Sequence, residues 1–328
     1  MEWEPLFDIG CVTGKHSDVS GEGMEGRGTV RWYRGSVHVH TSNSDGDSSP
    51  AEVAGWYRRH GYHFVIITDH NRVTPVEELN REFAAGGEFL VLSGEEITDW
   101  CGSRPIHITA LGLTAAVGPQ GGVSCAEVVQ NNIDTVNTAG GLAMVNHPNY
   151  QWALSPEDLA GLRGCALLEF ANRGAAVNNL GFDTPDDEEI WDALLGEGLR
   201  LFGVASDDAH HFTVFSPLYD NPCRGWVMVR CGALTPENIL DALARGEFYA
   251  STGVVLDRVE AGPGMIRIGI ESLGHTKYRI EFIGRGGVTL RTVIGTSADY
   301  IPKGTESYIR ARISDSNGLR AWTQPVFF

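Results

Sequence analysis

The sequence predicts an α/β protein built on a mainly parallel sheet, followed by a smaller antiparallel β unit. Three observations carry that expectation. Apolar, β-branched runs alternate with helix-forming segments over about two hundred residues, the pattern of a parallel sheet with crossover helices. Histidines and acids recur just after those runs, and in a closed α/β barrel the strand ends converge on one site. From residue 254 the texture changes to short alternating runs separated by glycine and polar turns, with no helical period left. The implied division is an N-terminal extension over residues 1–30, a barrel over 31–253 and a β unit over 254–328.

The first strand reaches the stretch GSVHVHTSNSDGD at residues 35–47. Val37, His38, Val39 and His40 alternate, so His38 and His40 share a face, close to Asp45 and Asp47 on a Ser/Gly-rich turn. Neutral imidazole is the commonest protein ligand for divalent metals, although His-x-His alone is also an ordinary polar pair on a strand. Ser49, Pro50 and Glu52 make a capping box, predicting a helix to about His60 closed by Gly61. The run FVIIT at residues 64–68 reads as a strand buried on both faces and ends in Asp69-His70-Asn71.

A helix over 76–85 and a strand over 89–92 follow, leading into Gly94-Glu95-Glu96, and another strand spans 106–113 around His107. Ser124 and Glu127 open a helix to about Thr138, after which a strand over 142–145 runs into Asn146-His147-Pro148. A strand over 166–170 and a helix opened by Thr184-Pro185 precede the strand over 199–205. That strand delivers Ser206-Asp207-Asp208-Ala209-His210-His211. Strand 225–230 and helix 236–245 complete the alternation. Residues 1–28 show no sustained period, and His16 there and His275 in a later turn read as solvated.

With 328 residues the chain has ample sequence for a sizeable core, and its formal net charge of −17 disfavours long nucleic acid or an anionic membrane as a partner. A small-molecule substrate is the expected partner; oligomeric state is open. The six cysteines show no CxxC spacing and the first residues lack a signal-peptide pattern, which fits reduced thiols in a cytoplasmic protein. No apolar run approaches the roughly 18 residues of a membrane span.

Taken as an ordered series, these groups resemble the polymerase and histidinol phosphatase (PHP) superfamily. Its pattern is HxH, an acid or His, TDH, GxE, a lone His, HP and DxH. Here these are His38-Val39-His40, Asp45, Thr68-Asp69-His70, Gly94-Glu95-Glu96, His107, His147-Pro148 and Asp208-Ala209-His210. The stretches Trp32-Tyr33-Arg34-Gly35, Asp207-Asp208-Ala209-His210, GEFYASTG at 246–253 and AWTQP at 321–325 are similar to the carbaryl-hydrolase-like branch.

The resemblance implies a distorted (β/α)7 barrel with two or three divalent metals at the strand ends. It puts His38, His40, Glu96 and Asp208 on the first metal, Glu96 bridging to a second with His107 and His147, and Asp45, His70 and His210 on a third. Mixed imidazole and carboxylate ligands suit zinc, manganese or iron(II). Glu96 rather than Glu95 is the ligand by the GxE register, which turns Glu95 to the opposite face.

The implied activity is metal-dependent hydrolysis. Most directly this is a phosphoesterase using a metal-bound hydroxide, with Glu96 and Asp208 in the catalytic set, His211 as a candidate proton donor to the leaving group, and Arg72, Arg104 and Arg173 as candidate phosphoryl contacts. The alternative is a carboxylester or carbamate hydrolase whose apolar pocket would draw on Trp100, Tyr150, Trp152, Phe212 and Phe215. A third reading is a metal-loaded binding scaffold. Loop 212–224, rich in proline and aromatics, is either a lid or a tight connection.

Overall fold

The structure is a computed structural model and describes residues 30–328 except 85. His16, Cys11 and the N-terminal extension lie outside the described residues, apart from Val30. The first seven strands are β1 (Arg31–Ser36), β2 (Phe64–Ile67), β3 (Leu90–Cys101), β4 (Arg104–Leu111), β5 (Leu142–Val145), β6 (Leu167–Asn172) and β7 (Phe202–Ser206). They neighbour one another in that order, and an isolated parallel bridge between Val39 and Ala209, just beyond the ends of β1 and β7, joins the last strand to the first. The result is an irregular seven-strand α/β barrel, as the sequence predicts.

The helices between strands follow their caps. α1 (Pro50–Arg59) starts on the reciprocal Ser49/Glu52 box, with proline at its first position. α2 (Glu77–Phe83) starts after Val76, which provides no side-chain cap. α3 (Cys125–Thr138) is capped by Ser124 and buries Val128, Val129, Ile133 and Val136 on one face. A short α4 (Pro156–Leu159) precedes β6. α5 (Asp187–Gly196) begins on an Asp186/Glu189 box rather than at Thr184-Pro185, since the aspartate can satisfy the Glu189 amide.

The sheet departs from the parallel expectation at two places. β3 and β4 form a long antiparallel hairpin and β4 is also antiparallel to β5. A two-residue turn, Gly102-Ser103, allows only that reversal, because a parallel return needs a crossover of a dozen or more residues. Beyond β1, β8 (Trp226–Cys231) runs antiparallel to it and, after α6 (Pro236–Arg245), β9 (Phe248–Ser251) runs antiparallel to β8. Gly225 enters β8 so close to β7 that an added Cβ would lie 2.2 Å from the Ser206 carbonyl oxygen, so a larger residue would force the strands apart.

The C-terminal segment is antiparallel throughout. β10 (Arg258–Gly262), β11 (Met265–Gly269) and β14 (Ser297–Tyr300) make a three-stranded sheet. β12 (Tyr278–Gly284), β13 (Val288–Ile294), β15 (Tyr308–Asp315) and β16 (Arg320–Thr323) instead extend the large sheet, with β16 pairing β9, and β17 (Val326–Phe327) pairs β15. Fully buried Arg310 of β15 reaches α5, bonding both Asp192 oxygens at 2.9 and 2.6 Å and pairing Glu188 at 2.8 Å.

The cysteines correct the expectation of reduced thiols: Cys101 and Cys125 form a disulfide, and Cys223 is also disulfide-bonded, while Cys165 and Cys231 are free. The sequence hides the first pair because the hairpin carries Cys101 to the start of α3, bringing Cα atoms 24 positions apart to 5.2 Å. Among the described residues no helix is long and apolar enough to cross a membrane.

Candidate metal centre

The chain beyond β1 is held between two neighbours, Thr68 donating its amide to Val39 and His40 donating its own to the Ala209 carbonyl. Alternation then turns His38 and His40 together into the barrel, where both are fully buried with Nε2 atoms 3.2 Å apart. Two nitrogens at about 2.1 Å from one tetrahedral ion would stand about 3.4 Å apart, so this spacing suits a shared cation. Glu96 and Asp208 complete the group. Glu96 oxygens lie 3.3 and 3.1 Å from the two Nε2 atoms, and Asp208 Oδ1 lies 3.1 and 3.2 Å from them.

Two further groups adjoin it. Glu96 Oε1 lies 3.0 Å from His107 Nδ1 and 3.4 Å from His147 Nε2. Asp45 reaches His210 at 3.3 Å, His70 at 3.4 Å and His40 Nδ1 at 3.5 Å. Within each of the three groups, one ligand atom per residue falls within 4.8 Å of all the others. Thus the structure brings together all nine residues picked out by pattern, and His40 also lies within reach of the Asp45 group.

The chain itself fixes which ring nitrogens face the centre. His38 Nδ1 donates to Glu169 at 2.7 Å and His210 Nδ1 to the Asp208 carbonyl at 2.8 Å, leaving both Nε2 atoms inward. Asp208 sits at φ 48°, a left-handed conformation rare for a side chain other than glycine and often found where function demands it. Its Oδ1 is buried and makes no hydrogen bond among the described residues, and the same holds for His107 Nδ1. Buried polar atoms without partners are costly, and a cation at these positions would satisfy both. The residues therefore fit divalent metals.

Electrostatics point the same way. Burial presses the His38 imidazole down, but Asp208, Glu169 and Glu96 more than reverse this and raise it well above its usual value. Burial likewise opposes, and Asp45 and Asp208 outweigh it, at His210, which is raised to about 9. Glu96 is held well below the carboxylate range despite its burial, by His107, His38 and His70. At His107 burial prevails and the imidazole is lowered. Protons and metal ions compete for these positions.

The flanking residues sort themselves by contact. Glu95 faces away, accepting from the Val117 and Gly118 amides at 2.8 and 3.1 Å, as its register predicts. Asp69 braces the loop carrying Asp45 by accepting from the Thr41 amide, Ser44 and Thr74. Asp207 accepts from Ser36, Tyr57 and the Cys223 amide, and burial pushes its carboxyl up to about 7. His211 stacks on Tyr219 at 4.6 Å.

Of the candidate arginines, Arg104 is paired with Asp158 at 2.9 Å and Arg72 donates to the Asn43 carbonyl on the Asp45 loop. Arg173 lines a cleft beside Asn172. Of the five candidate pocket aromatics, Tyr150 stands against the centre, 5.6 and 5.2 Å from the His107 and His147 rings. Phe212 and Phe215 pack on Trp56, whereas Trp100 and Trp152 are exposed.

Three site residues carry no signal in the sequence. Glu169 of β6 bonds His38 and the His147 amide, Asn146 donates to Glu96 at 2.7 Å, and Asn172 bridges Glu169 and Asp208 at 3.0 and 3.1 Å. Asn146 and Asn172 stand at strand ends like the ligands, but amides there are common and unremarked.

No family model and no curated protein matches the sequence. Among solved structures, the chain is similar to a two-domain protein from Bacteroides vulgatus containing a predicted PHP-like metal-dependent phosphoesterase. The match has TM-score 0.52 at 16% identity and covers 93% of this chain and all of the other. A proposed metal-dependent phosphoesterase from Bifidobacterium adolescentis matches with TM-score 0.42 at 18% identity, over 65% of this chain and 94% of the other. An amidohydrolase from Chromobacterium violaceum, with bound sulfate and no metal, matches with TM-score 0.39 at 15% identity, over 57% of this chain and 93% of the other. The fold is thus that of the two-domain PHP-like protein, with buried His, Glu and Asp clusters that fit a multi-metal site.

Proposed function

We propose that this protein is a PHP-superfamily, metal-dependent phosphoesterase working with two or three divalent ions. The observation that carries the reading is the convergence of His38, His40, Glu96 and Asp208 ligand atoms, flanked by the His107/His147 and Asp45/His70/His210 groups. His38, His40, Glu96 and Asp208 would hold one ion, Glu96 with His107 and His147 a second, and Asp45, His70 and His210 a third. The two three-residue sets leave coordination positions open, and the four-residue set leaves one at a five-coordinate ion, as catalytic rather than structural sites require. Divalent ions bound there supply Lewis acidity to a substrate oxygen and acidify water.

The chain's own residues do the rest. Glu169, Asn146 and Asn172 hold ligand side chains in place, so that the site is organised before substrate arrives. His211 neighbours His210 and would serve as a proton source near the leaving group.

A second reading, carboxylester or carbamate hydrolysis as in the carbaryl-hydrolase-like branch, draws support from Tyr150, whose ring offers an aryl group a surface beside His107 and His147. The test compares phosphate release from an aryl phosphate with naphthol release from a naphthyl carbamate, using manganese- or zinc-loaded protein and Asp208→Ala as control. Phosphate release abolished in the variant is expected. Naphthol release abolished in the variant would move the activity to carbonyl hydrolysis, and neither product from metal-replete protein would refute both.

A further inference from the structure

Beside the metal centre lies a cleft of about 470 Å³ whose lining includes Asn172, Arg173, Asn179, Pro217 and Arg224. Its wall is continuous with the site, because Asn172 donates to Asp208 at 3.1 Å and the Arg173 amide bonds the Ser206 carbonyl at the end of β7. Its charge runs against the rest of the molecule. In a chain of net charge −17, two arginines face one opening, and among the described residues neither guanidinium bonds a carboxylate. The Arg173 side chain has no hydrogen-bond or ion-pair partner among the described residues. Among the described residues Arg224 is held by neutral oxygens, the Tyr219 and Ser216 carbonyls at 2.7 Å and Asn221 Oδ1 at 2.8 Å.

The one nearby acid on the loop, Asp220, already accepts from the Ala175 amide at 2.5 Å. Asn179 also lines the cleft, its amide nitrogen donating to the Asn172 carbonyl. Burial lowers both guanidiniums below their ordinary range, with Arg320 adding to the effect at Arg173, while at Arg224 the attraction of Asp220 and Asp207 only partly offsets it; an anion bonded between the two would compensate that desolvation.

We propose that Arg173 and Arg224 form an oxyanion subsite that holds a phosphoryl or carboxylate substituent on the leaving-group part of the substrate, apart from the bond being cleaved. This rests on the hydrolase reading for its catalytic meaning, but the subsite is a property of the two arginines. It assigns the substrate class: small molecules with a second anionic group, selected by a guanidinium pair whose rigid forks match oxyanions. Neutral-tailed esters would be poor substrates by comparison.

The test has two arms. In the first, inorganic phosphate and acetate are titrated calorimetrically into EDTA-treated full-length protein, so that no metal contributes. Wild type and Arg245→Gln, a substitution on exposed α6, bind phosphate alike, whereas Arg173→Gln and Arg224→Gln weaken it by about tenfold or more. Acetate binding with the same dependence assigns the substituent as a carboxylate. Arg224 braces its loop and its loss would disturb that loop, so Arg173→Gln, which breaks no hydrogen bond or ion pair among the described residues, is decisive. Equal anion affinity in wild type and Arg173→Gln overturns the proposal.

The second arm compares phenyl phosphate with 4-carboxyphenyl phosphate on metal-loaded protein. Arg173→Gln raises KM for the carboxylated ester by about tenfold more than it raises KM for phenyl phosphate. An equal rise for both esters overturns the proposal. Failure of wild type to cleave either ester refutes the phosphoesterase reading and leaves the first arm to decide the subsite.

Discussion

Glu169 is the residue on which the geometry of His38 depends. Its carboxylate takes the His38 Nδ1 proton, the His147 amide and an Asn172 donor, so one buried acid aligns parts of two ligand sets. A glutamine keeps the shape but removes the charge that orients and polarises the imidazole. Glu169→Gln should therefore lower metal affinity by about 10- to 100-fold with the fold intact, the usual cost of losing such a partner. Isothermal titration with zinc or manganese checks this, and unchanged affinity with unchanged stoichiometry would remove Glu169 from the site. The sequence carries its chemistry unevenly at this scale. His38, His40, Glu96 and Asp208 are legible because HxH, GxE and DxH place scarce residue types at the ends of apolar runs. Glu169 is not, because in LLEFAN it is one acid inside an apolar strand, and only the closure of the barrel, which leaves β7 alone between β6 and β1, gives it His38 as a partner.

Elements follow their local signals where those signals are covalent or capping in origin. Ser49-Pro50 and Ser124 start helices where they should, and the αL glycine Gly246 ends α6. The β3–β4 hairpin was harder to read, because the apolar alternation of β3 is interrupted by Ser93-Gly94-Glu95-Glu96, suggesting a strand end. The strand instead continues to Cys101, placing Glu96 at mid-strand, where the Asp69 carbonyl accepts its amide. What fastens the tip of this hairpin is the Cys101–Cys125 disulfide to the start of α3. Closing a loop of 24 positions is worth about 3.5 kcal/mol in the chain-entropy account. Removing this bond alone, by Cys101→Ser with Cys125→Ser, should lower Tm by several degrees while leaving metal stoichiometry unchanged, since no ligand lies beyond residue 96 on β3 or before residue 107 on β4. Melting curves and metal titrations of wild type and the double variant test it; loss of metal binding in the variant would mean that the hairpin tip shapes the site.

At the scale of the whole molecule, the sheet and the metal centre are coupled by protons. In the metal-free protein several buried groups hold protons that the unfolded chain would release. His210 is raised to about 9, Asp207 to about 7 and Asp187, driven by burial, to about 9. A raised histidine contributes stability that is complete below its unfolded value, about 6.5, and is lost as pH rises through about 9. A raised carboxyl acts with the same sign, because the unfolded acid ionises first. The folded state therefore loses ground from about pH 4 up to about 7 for Asp207 and about 9 for Asp187. Glu96 and Asp208, held well below the usual range by neighbouring imidazoles, act oppositely, and their contribution fades only in acid. Metal-free protein should thus be most stable in mildly acidic solution and weaken steadily towards pH 9. Divalent ions displace protons from the same imidazoles, so their binding tightens as pH rises and stabilises the folded state by mass action. The Tm difference between metal-loaded and EDTA-treated protein should accordingly widen from about pH 6 to about pH 9. Scanning calorimetry of both forms across that range decides the matter. A constant gap would show that metal and protons do not share these sites, and no gap at any pH would mean that the histidine and carboxylate cluster is a hydrogen-bonded core rather than a metal centre.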